Sequence, residues 1–191
     1  NNVKNILDFG CAAGNFFNIF RSFFNKKIKY KGIDFEKRFI KIANKKYKKV
    51  KNATFSIQKG SRLKYKKNYA DLVFCTSVLH HVYNYKKIIN ELIRVSSRYI
   101  FIDSPRIHFT KSRVGSMNLS ERFKSKIKSN IVNYYVVNLE DYLRFLNFTF
   151  KKRKINQVYF FCGNLPYSSK YLNFKEKIIY LTMLLYKGKK K

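Results

Sequence analysis

The chain has 191 residues, 46% of them hydrophobic, with 19 Phe and 15 Tyr, which excludes an intrinsically disordered protein and suffices for the core of one domain. Lys and Arg number 42 against 10 Asp and Glu, so the formal net charge is +32. Such a surface attracts polyanions, whether nucleic acid, anionic membrane or acidic glycan. Codon-driven drift toward lysine accounts for the charge about equally well, so the charge by itself assigns no function.

Cysteine and histidine usage argues against a disulfide framework and against a metal site. The three cysteines are far apart and form no CxxC pair, and the three histidines lack the spacing of metal ligands. The sequence shows no secretory signal and no apolar run long enough to span a bilayer. We therefore expect a cytoplasmic protein without a bound metal, with peripheral contact to an anionic membrane as a further option.

The segment 6–16 carries the strongest functional signal. An apolar strand that contains Ile6 and Leu7 ends near Asp8, a turn of small residues follows, and an aromatic helix begins at Phe16. Small residues permit a sharp turn against which a ligand can lie, and the free N–H groups of the new helix point at that ligand. The pattern predicts a nucleotide-like cofactor at the carboxyl edge of a parallel sheet, although an ordinary strand-to-helix turn has a similar composition.

The chain then alternates between strand and helix patterns as far as residue 103. Helical spacing of apolar residues predicts helices over residues 35–48 and 85–95. Strands are predicted over residues 29–34, 53–58, 70–75 and 98–103, of which 70–75 is an apolar run typical of a buried strand. This alternation predicts an α/β fold in which helices cover both faces of a parallel sheet.

The remainder of the chain is less regular. Residues 105–130 are polar and basic, which predicts an insertion or a lid. A helix is expected over 139–146, and residues 148–155 are expected to pair with 157–161 as antiparallel strands that end the sheet. The apolar-rich tail, 174–186, is expected to form a helix that docks on the domain or lies on a membrane surface.

Four of the ten acids border predicted core strands in a chain that is poor in carboxylates: Asp8, Asp34, Asp71 and Asp103. Ligands bind outside the carboxyl ends of strands in open α/β sheets. Asp34 ends the second strand, so it is placed to accept hydrogen bonds from a ribose diol. Asp71 begins its strand at the opposite edge of the sheet and is expected to be structural.

The loop after the first strand does not match the phosphate-binding fingerprints. Ala12 and Asn15 replace the second and third glycines of the dinucleotide motif, and no GKS or GKT sequence provides a phosphate loop. Asp8, just before the loop, would face a pyrophosphate unfavourably. A cofactor that lacks phosphate and carries cationic groups fits this loop better.

At these positions the chain resembles the class I S-adenosylmethionine-dependent methyltransferases. Residues 8–14 (DFGCAAG) resemble the first family motif, D-x-G-x-G-x-G, with Ala12 at the middle glycine, and residues 32–34 (GID) resemble the end of its second strand. Residues 68–73 resemble the fourth strand of the family, residues 77–82 resemble the loop after it, and residues 91–95 resemble the helix before the fifth strand.

The chain departs from the family pattern at three places. Ser61 stands where the family often has an acid that meets the adenine amino group, so adenine recognition is expected to use backbone groups. Residues 96–98 replace the usual turn before the fifth strand. The N-terminal helical cap that family members usually carry is expected to be missing.

The resemblance implies one Rossmann-like domain, 1–191, with a doubly wound, mostly parallel seven-stranded sheet and helices on both faces. Its parts are a core of about 3–103, the lid of about 105–130, and a C-terminal sheet edge with the tail helix, about 139–187. The implied cofactor is S-adenosylmethionine, and no metal is implied. The residues implied to bind the cofactor are Asp8, Gly10, Cys11, Ala12, Gly14, Asp34, Phe35, Ser61, Cys75 and Thr76.

The implied reaction is an in-line displacement, for which the enzyme supplies position and a dry pocket. A general base is needed only where the acceptor is a hydroxyl or a protonated amine. His80 and His81 follow the fourth strand near the expected acceptor, and at most one of them can serve as this base. A loop histidine that bonds a backbone carbonyl is the structural alternative. Asp103 and His108 are further candidates.

Three functions remain open on the sequence. His80 and His81 together with residues 103–106 (DSPR) resemble small-molecule and surface-glycan methyltransferases, so a small molecule or a glycan is the expected acceptor. An RNA methyltransferase is the alternative enzyme, supported mainly by the net charge. A binding module that keeps the fold without activity is the third possibility.

Overall fold

The computed structural model describes residues 3–24, 27–118, 131–164 and 178–188. Strands and helices alternate in its first half: β1 (Asn5–Phe9), α1 (Phe17–Phe23), β2 (Lys29–Asp34), α2 (Lys37–Lys46), β3 (Ala53–Ile57), β4 (Ala70–Cys75), the 3-10 helix (Leu79–His81), α3 (Tyr85–Val95) and β5 (Ser96–Asp103). The second half contains β6 (Arg106–His108), β7 (Arg113–Asn118), β8 (Ile131–Asn138), α4 (Leu139–Arg153), β9 (Gln157–Asn164) and β10 (Ile179–Tyr186). The predicted alternation as far as residue 103 is confirmed.

The strands form one mixed sheet, which confirms the predicted α/β fold. Its order is β3-β2-β1-β4-β5-β10, in which the first five strands are parallel and β10 is antiparallel to both β5 and β9. The described residues contribute ten strands where seven were expected. The additional strands come from β6, β7 and β8, which continue the sheet beyond the carboxyl end of β5.

Helices cover both faces of the sheet, as expected for a doubly wound fold. On one face α3 buries Ile88, Ile89, Leu92 and Ile93, and the first turns of α4 pack against the same core. On the other face α1 and α2 bury Phe17, Phe20, Ile40 and Ala43 against an aromatic layer. Each helix buries one stripe of side chains, and this apolar burial is the main stabilising force of the domain.

The predicted tail helix is wrong, because residues 179–186 form the strand β10. Its side chains alternate, with Ile179, Leu181 and Met183 buried and the residues between them half-buried. The sequence is apolar or aromatic at almost every one of these positions, so its periodicity did not distinguish a strand from a helix. A strand therefore replaces the helix that was expected to dock on the domain or to lie on a membrane surface. Residues 174–177 lie outside the described residues.

The region around α4 also differs from the expectation. The helix predicted over 139–146 is confirmed, but it continues to Arg153, so the strand predicted over 148–155 is wrong. Asn138 caps its start by accepting from the backbone N–H of Asp141, and Lys154 ends it in the left-handed conformation with φ +52°. Residues 157–161 do lie in an antiparallel strand, but the predicted partner, residues 148–155, is wrong, since β9 pairs with β10 instead.

Part of the predicted lid is regular structure. β6 and β7 fall within residues 105–130, and residues 119–130 lie outside the described residues. The parallel pairing of β6 with β8 and the antiparallel pairing of β7 with β8 attach this segment to the sheet. Among the helices of the described ranges, none has the length and apolar character that crossing a membrane requires.

Candidate functional site

The loop after β1 is built from residues in the left-handed conformation. Gly10, Ala12 and Gly14 have φ values of +79°, +46° and +77°. The backbone N–H groups of Gly10 and Cys11 both donate to the carbonyl of Ile33, at 2.7 and 3.1 Å, and so attach the loop to β2. Glycine adopts such a backbone at no steric cost, whereas Ala12 is strained there. The turn of small residues predicted before α1 is confirmed.

Two of these glycines are also required by close packing. A Cβ atom on Gly10 would lie 2.1 Å from Cγ2 of Val78, and one on Gly14 would lie 2.7 Å from the Tyr47 ring. The Tyr47 hydroxyl donates to the Gly14 carbonyl at 3.0 Å, and its ring stacks on Phe55 at 5.3 Å. Aromatic side chains from the end of α2 and from β3 therefore pack against the loop.

Asp34 lies beside this loop, as the sequence predicted. Its Oδ2 accepts from the backbone N–H of Ala12 at 2.9 Å, and its Oδ1 accepts from that of Glu36 at 2.8 Å. A carboxylate has about four acceptor positions, so the half-buried Asp34 can accept further hydrogen bonds from a ligand. Phe35 follows with 42% of its surface exposed, and its ring meets the Phe9 ring edge-on at 5.6 Å.

Asp8 lies on the same face of the sheet but beneath the loop. It pairs with Gly32 in the register of β1 and β2, is only 1% exposed, and accepts a short hydrogen bond from the Tyr30 hydroxyl. Burial raises the pKa of Asp8 to about 7, with the charge of Asp34 adding to the rise and the Tyr30 hydrogen bond opposing it. Direct contact of Asp8 with a cofactor stays a prediction.

The loop that carries Ser61 is held in place by a buried amide. Gln58 is 5% exposed, and its Nε2 lies 2.9–3.0 Å from the carbonyl oxygens of Lys59, Gly60 and Arg62. Ser61 is half-buried on this loop. The sequence singled out Ser61 as a departure from the family and missed the anchoring role of Gln58, because a lone glutamine gives no signal of its surroundings.

The residues at the end of β4 are rigidly placed. Cys75 is fully buried, and burial raises the pKa of its thiol well above the ordinary value, as it also does for Cys11. Both thiols are therefore protonated and unreactive at neutral pH. Half-buried Thr76 follows. The next backbone N–H, that of Ser77, donates to Asp103 at 3.1 Å, and the Thr182 hydroxyl donates to the same carboxylate at 2.7 Å.

The two adjacent histidines have different environments. His80 is 2% exposed and packs on the Tyr134 ring at 4.8 Å. His81 is partly exposed, and its Nδ1 lies 3.0 Å from the carbonyl oxygen of Asn133. A carbonyl can only accept, so the His81 proton is on Nδ1 and the basic lone pair is on Nε2.

His108, the more distant base candidate, has the opposite arrangement. Its Nδ1 accepts from the backbone N–H groups of Thr110 and Lys111 at 3.2 and 3.1 Å, so neutral His108 carries its proton on Nε2. Asp103 binds two donors and fixes the loop after β4. Asp71 accepts from the backbone N–H groups of Lys4 and Asn5 at the amino ends of the strands, which confirms its structural role.

Two residues of the second half complete the site, and the sequence assigned no individual role to either, although Arg106 ends the segment 103–106 (DSPR) on which the acceptor class was predicted. Arg106 begins β6, is 8% exposed, and donates from Nε to the Tyr134 hydroxyl at 2.6 Å. Tyr134 in turn contacts both histidine rings. The link depends on the pairing of β6 with β8, which brings together residues 28 positions apart. Within the described ranges, no three His, Cys, Asp or Glu side chains are grouped as metal ligands.

The comparison with protein families decides the class of the chain. The sequence model described as "Methyltransferase domain" matches residues 1–142, about three quarters of the chain. The chain belongs to this methyltransferase family. Membership confirms the predicted enzyme class, an S-adenosylmethionine-dependent methyltransferase, together with its Rossmann-like fold and its cofactor. No curated protein sequence gives a significant match.

Solved structures of similar fold agree with this assignment. A SAM-dependent methyltransferase from Methanosarcina mazei is 16% identical, with 98% of this chain and 93% of that one covered and a TM-score of 0.61. The N-terminal domain of EvdMO1 with S-adenosylhomocysteine bound is 11% identical, with 98% and 76% covered and a TM-score of 0.67. Phosphoethanolamine N-methyltransferase 2 from Haemonchus contortus, crystallised with phosphomonomethylethanolamine and S-adenosylhomocysteine, is 16% identical, with 98% and 49% covered and a TM-score of 0.63. At these identities the likeness shows the fold.

Proposed function

We propose that this methyltransferase transfers a methyl group to a small-molecule or glycan acceptor at the carboxyl edge of its sheet. The observation that supports the location of the cofactor is the Asp34 carboxylate beside the glycine loop, with both oxygens oriented by backbone N–H groups. The acceptor is assigned to the region between the 3-10 helix and β8, where His81 meets the Asn133 carbonyl. This region adjoins the ends of β4 and β5.

The residues at the glycine loop fit S-adenosylmethionine. Gly10 and Gly14 allow the left-handed turns that bring the loop backbone beside Asp34, Asp34 retains acceptor positions for the ribose hydroxyls, and exposed Phe35 offers an aromatic face for adenine. When bound, S-adenosylmethionine supplies an electrophilic methyl group on a sulfonium centre. Cys75 and Thr76 are assigned to the wall of the site, where the buried Cys75 thiol excludes water without acting as a nucleophile.

His81 is assigned the role of general base when the acceptor carries a hydroxyl or a protonated amine. The hydrogen bond from Nδ1 to Asn133 orients the ring and keeps the lone pair on Nε2, which is the atom that would take the proton of the acceptor. Buried His80 is assigned to packing, since its ring contacts those of both His81 and Tyr134, with centroid distances of 4.0 and 4.8 Å.

Calorimetric titration with S-adenosylmethionine tests the cofactor site. Asp34→Ala should weaken binding by about 1–3 kcal/mol, the range for hydrogen bonds to a charged group. Asp71→Ala is the matched control, because Asp71 also borders a strand and also accepts from two backbone N–H groups, but at the opposite edge. Equal affinities of the Asp34 and Asp71 variants would refute the assignment of Asp34.

An RNA acceptor is the second candidate, favoured by the net charge of +32 and by the exposed lysines in and after α2: Lys37, Lys41, Lys45, Lys46, Lys48 and Lys49. Labelled methyl donor, incubated with the enzyme and with separate RNA and small-molecule fractions of a cell extract, distinguishes the two. Label in the small-molecule or glycan fraction supports the proposal. Label in RNA, with retention on RNA that falls steeply with salt, would replace it.

A further inference from the structure

Arg106 carries a positive charge that is almost completely buried beside the proposed acceptor region. Only 8% of its surface is exposed. β6 continues along β10 beyond the point where β5 ends, so Arg106 lies at the carboxyl edge of the sheet. Burying a charged group is costly unless it is paired, and proteins meet this cost with a counter-charge or a bound ion.

The contacts of Arg106 stabilise the cation without neutralising it. Nε donates to the Tyr134 hydroxyl, and the guanidinium lies over the rings of Tyr134 and Tyr180, at 5.9 and 5.6 Å from their centroids. Within the described ranges Arg106 forms no salt bridge. The carboxylates that do pair with arginines there join Glu36 to Arg38, Glu91 to Arg94 and Glu140 to Arg144.

The orientation of Arg106 leaves the two terminal nitrogens of its guanidinium for a ligand. A guanidinium has five N–H donors, and the hydrogen bond to Tyr134 uses the one on Nε. The four donors on the two terminal nitrogens form no hydrogen bond with the described residues. Two parallel N–H groups of this kind match the two oxygens of a phosphate or a carboxylate.

Arg106 also connects the histidine pair to a hollow in the surface. The rings of His80, His81 and Tyr134 contact one another, with centroid distances of 4.0, 4.8 and 5.6 Å, and the Arg106 guanidinium lies over the Tyr134 ring. The guanidinium also lies over Tyr180, and Tyr180 lines a hollow of about 290 Å³ together with Phe101, Phe161, Cys162 and Thr182. This space is close to the lower end of the range for small-molecule sites.

We propose that Arg106 binds an anionic group of the methyl acceptor, a phosphate or a carboxylate. Tyr134 orients the guanidinium through Nε, and the Tyr180 ring contacts it through a cation–π interaction. The acceptor is therefore an anionic small molecule or an acidic sugar. The identification of this anion as part of the acceptor rests on the proposed function, whereas binding of the anion itself is measured without the cofactor.

The test compares anion binding by the wild type, Arg106→Gln and Arg144→Gln. Arg144 is the control because it is an exposed arginine of α4 whose loss changes the net charge equally. Thermal unfolding is followed in sodium phosphate and in sodium acetate, with chloride added to constant ionic strength. We expect one of these anions to raise the melting temperature of the wild type and of Arg144→Gln, with at least a tenfold weaker apparent affinity in Arg106→Gln.

Each outcome decides the proposal. A phosphate response indicates a phosphate monoester, an acetate response indicates a carboxylate, and equal responses in all three proteins would overturn the site. Where Arg106→Gln does not fold, Arg106→Lys replaces it, since lysine keeps the charge and loses the planar fork. The Lys variant should bind the anion several-fold more weakly, and an unchanged affinity would refute the role of the fork. Intact S-adenosylmethionine binding in these variants separates this result from a failure of the cofactor site.

Discussion

The buried carboxylate of Asp8 should make the stability of this domain fall as pH rises from about 4 to about 7. Burial raises the pKa of Asp8 from the ordinary 3.8 to about 7 in the folded protein. The folded state therefore keeps a proton that the unfolded state releases across this interval. Stability from the protonated carboxyl is fully present below the unfolded pKa and is lost as pH rises through the folded pKa.

The size of the effect follows from the two pKa values. Each unit of difference corresponds to about 1.4 kcal/mol, so Asp8 alone should cost roughly 3 kcal/mol of unfolding free energy between about pH 4 and pH 7. Asp8→Asn removes the titration and keeps an oxygen that can accept from Tyr30. The difference in stability between the variant and the wild type should therefore grow by roughly 3 kcal/mol over this interval.

Urea unfolding at a series of pH values, followed by far-ultraviolet circular dichroism, measures this difference, and the chain contains no Trp that could serve as a fluorescent probe. Glu140→Gln, an exposed substitution on α4, controls for the loss of one negative charge. Parallel stability profiles for the wild type and Asp8→Asn would refute the reasoning, because Asp8 would then titrate alike in the folded and unfolded states.

Two further substitutions test the support of the glycine loop. Gly10→Ala should cost about 2–4 kcal/mol of stability, since a Cβ at φ +79° meets Val78 at 2.1 Å, and adding Val78→Ala should recover only the part due to the clash. Full recovery in the double variant would show that the backbone conformation carries no strain. Tyr47→Phe should cost about 1 kcal/mol, because the Gly14 carbonyl loses the hydroxyl donor and keeps only the N–H of Phe17, and a melting temperature equal to that of the wild type would exclude this contribution.

Local patterns were sufficient for the first half of the fold. The strands Lys29–Asp34 and Ala70–Cys75 and the helix Tyr85–Val95 have the bounds that the sequence predicted. Residues 70–75 are a mainly apolar run, residues 85–95 have apolar residues at helical spacing, and residues 29–34 end in an acid at the border of the sheet. The glycine loop was equally accessible, because the conformations of Gly10 and Gly14 follow from a short segment of sequence.

The features that could not be predicted from the sequence depend on pairing between residues that are far apart in the chain. β10 is flanked by partner strands and covered on one face, so its apolar pattern lacked the alternation that marks a strand. Arg106 contacts Tyr134, 28 positions away, because the pairing of β6 with β8 brings the two residues together. Asp8 was correctly placed at the end of a strand, but its Tyr30 partner and its burial depend on the neighbouring strand.

The position of β10 in the sheet has a consequence for how the protein is made. This strand lies between β5 and β9 and also contacts β6, yet it is among the last described segments in chain order. A ribosome that releases the chain from its N-terminus onward therefore exposes the edge of β5 until residues 179–186 emerge from the exit tunnel. Because this edge offers unpaired backbone groups, it is a template for edge-to-edge aggregation of nascent chains until β10 pairs with it.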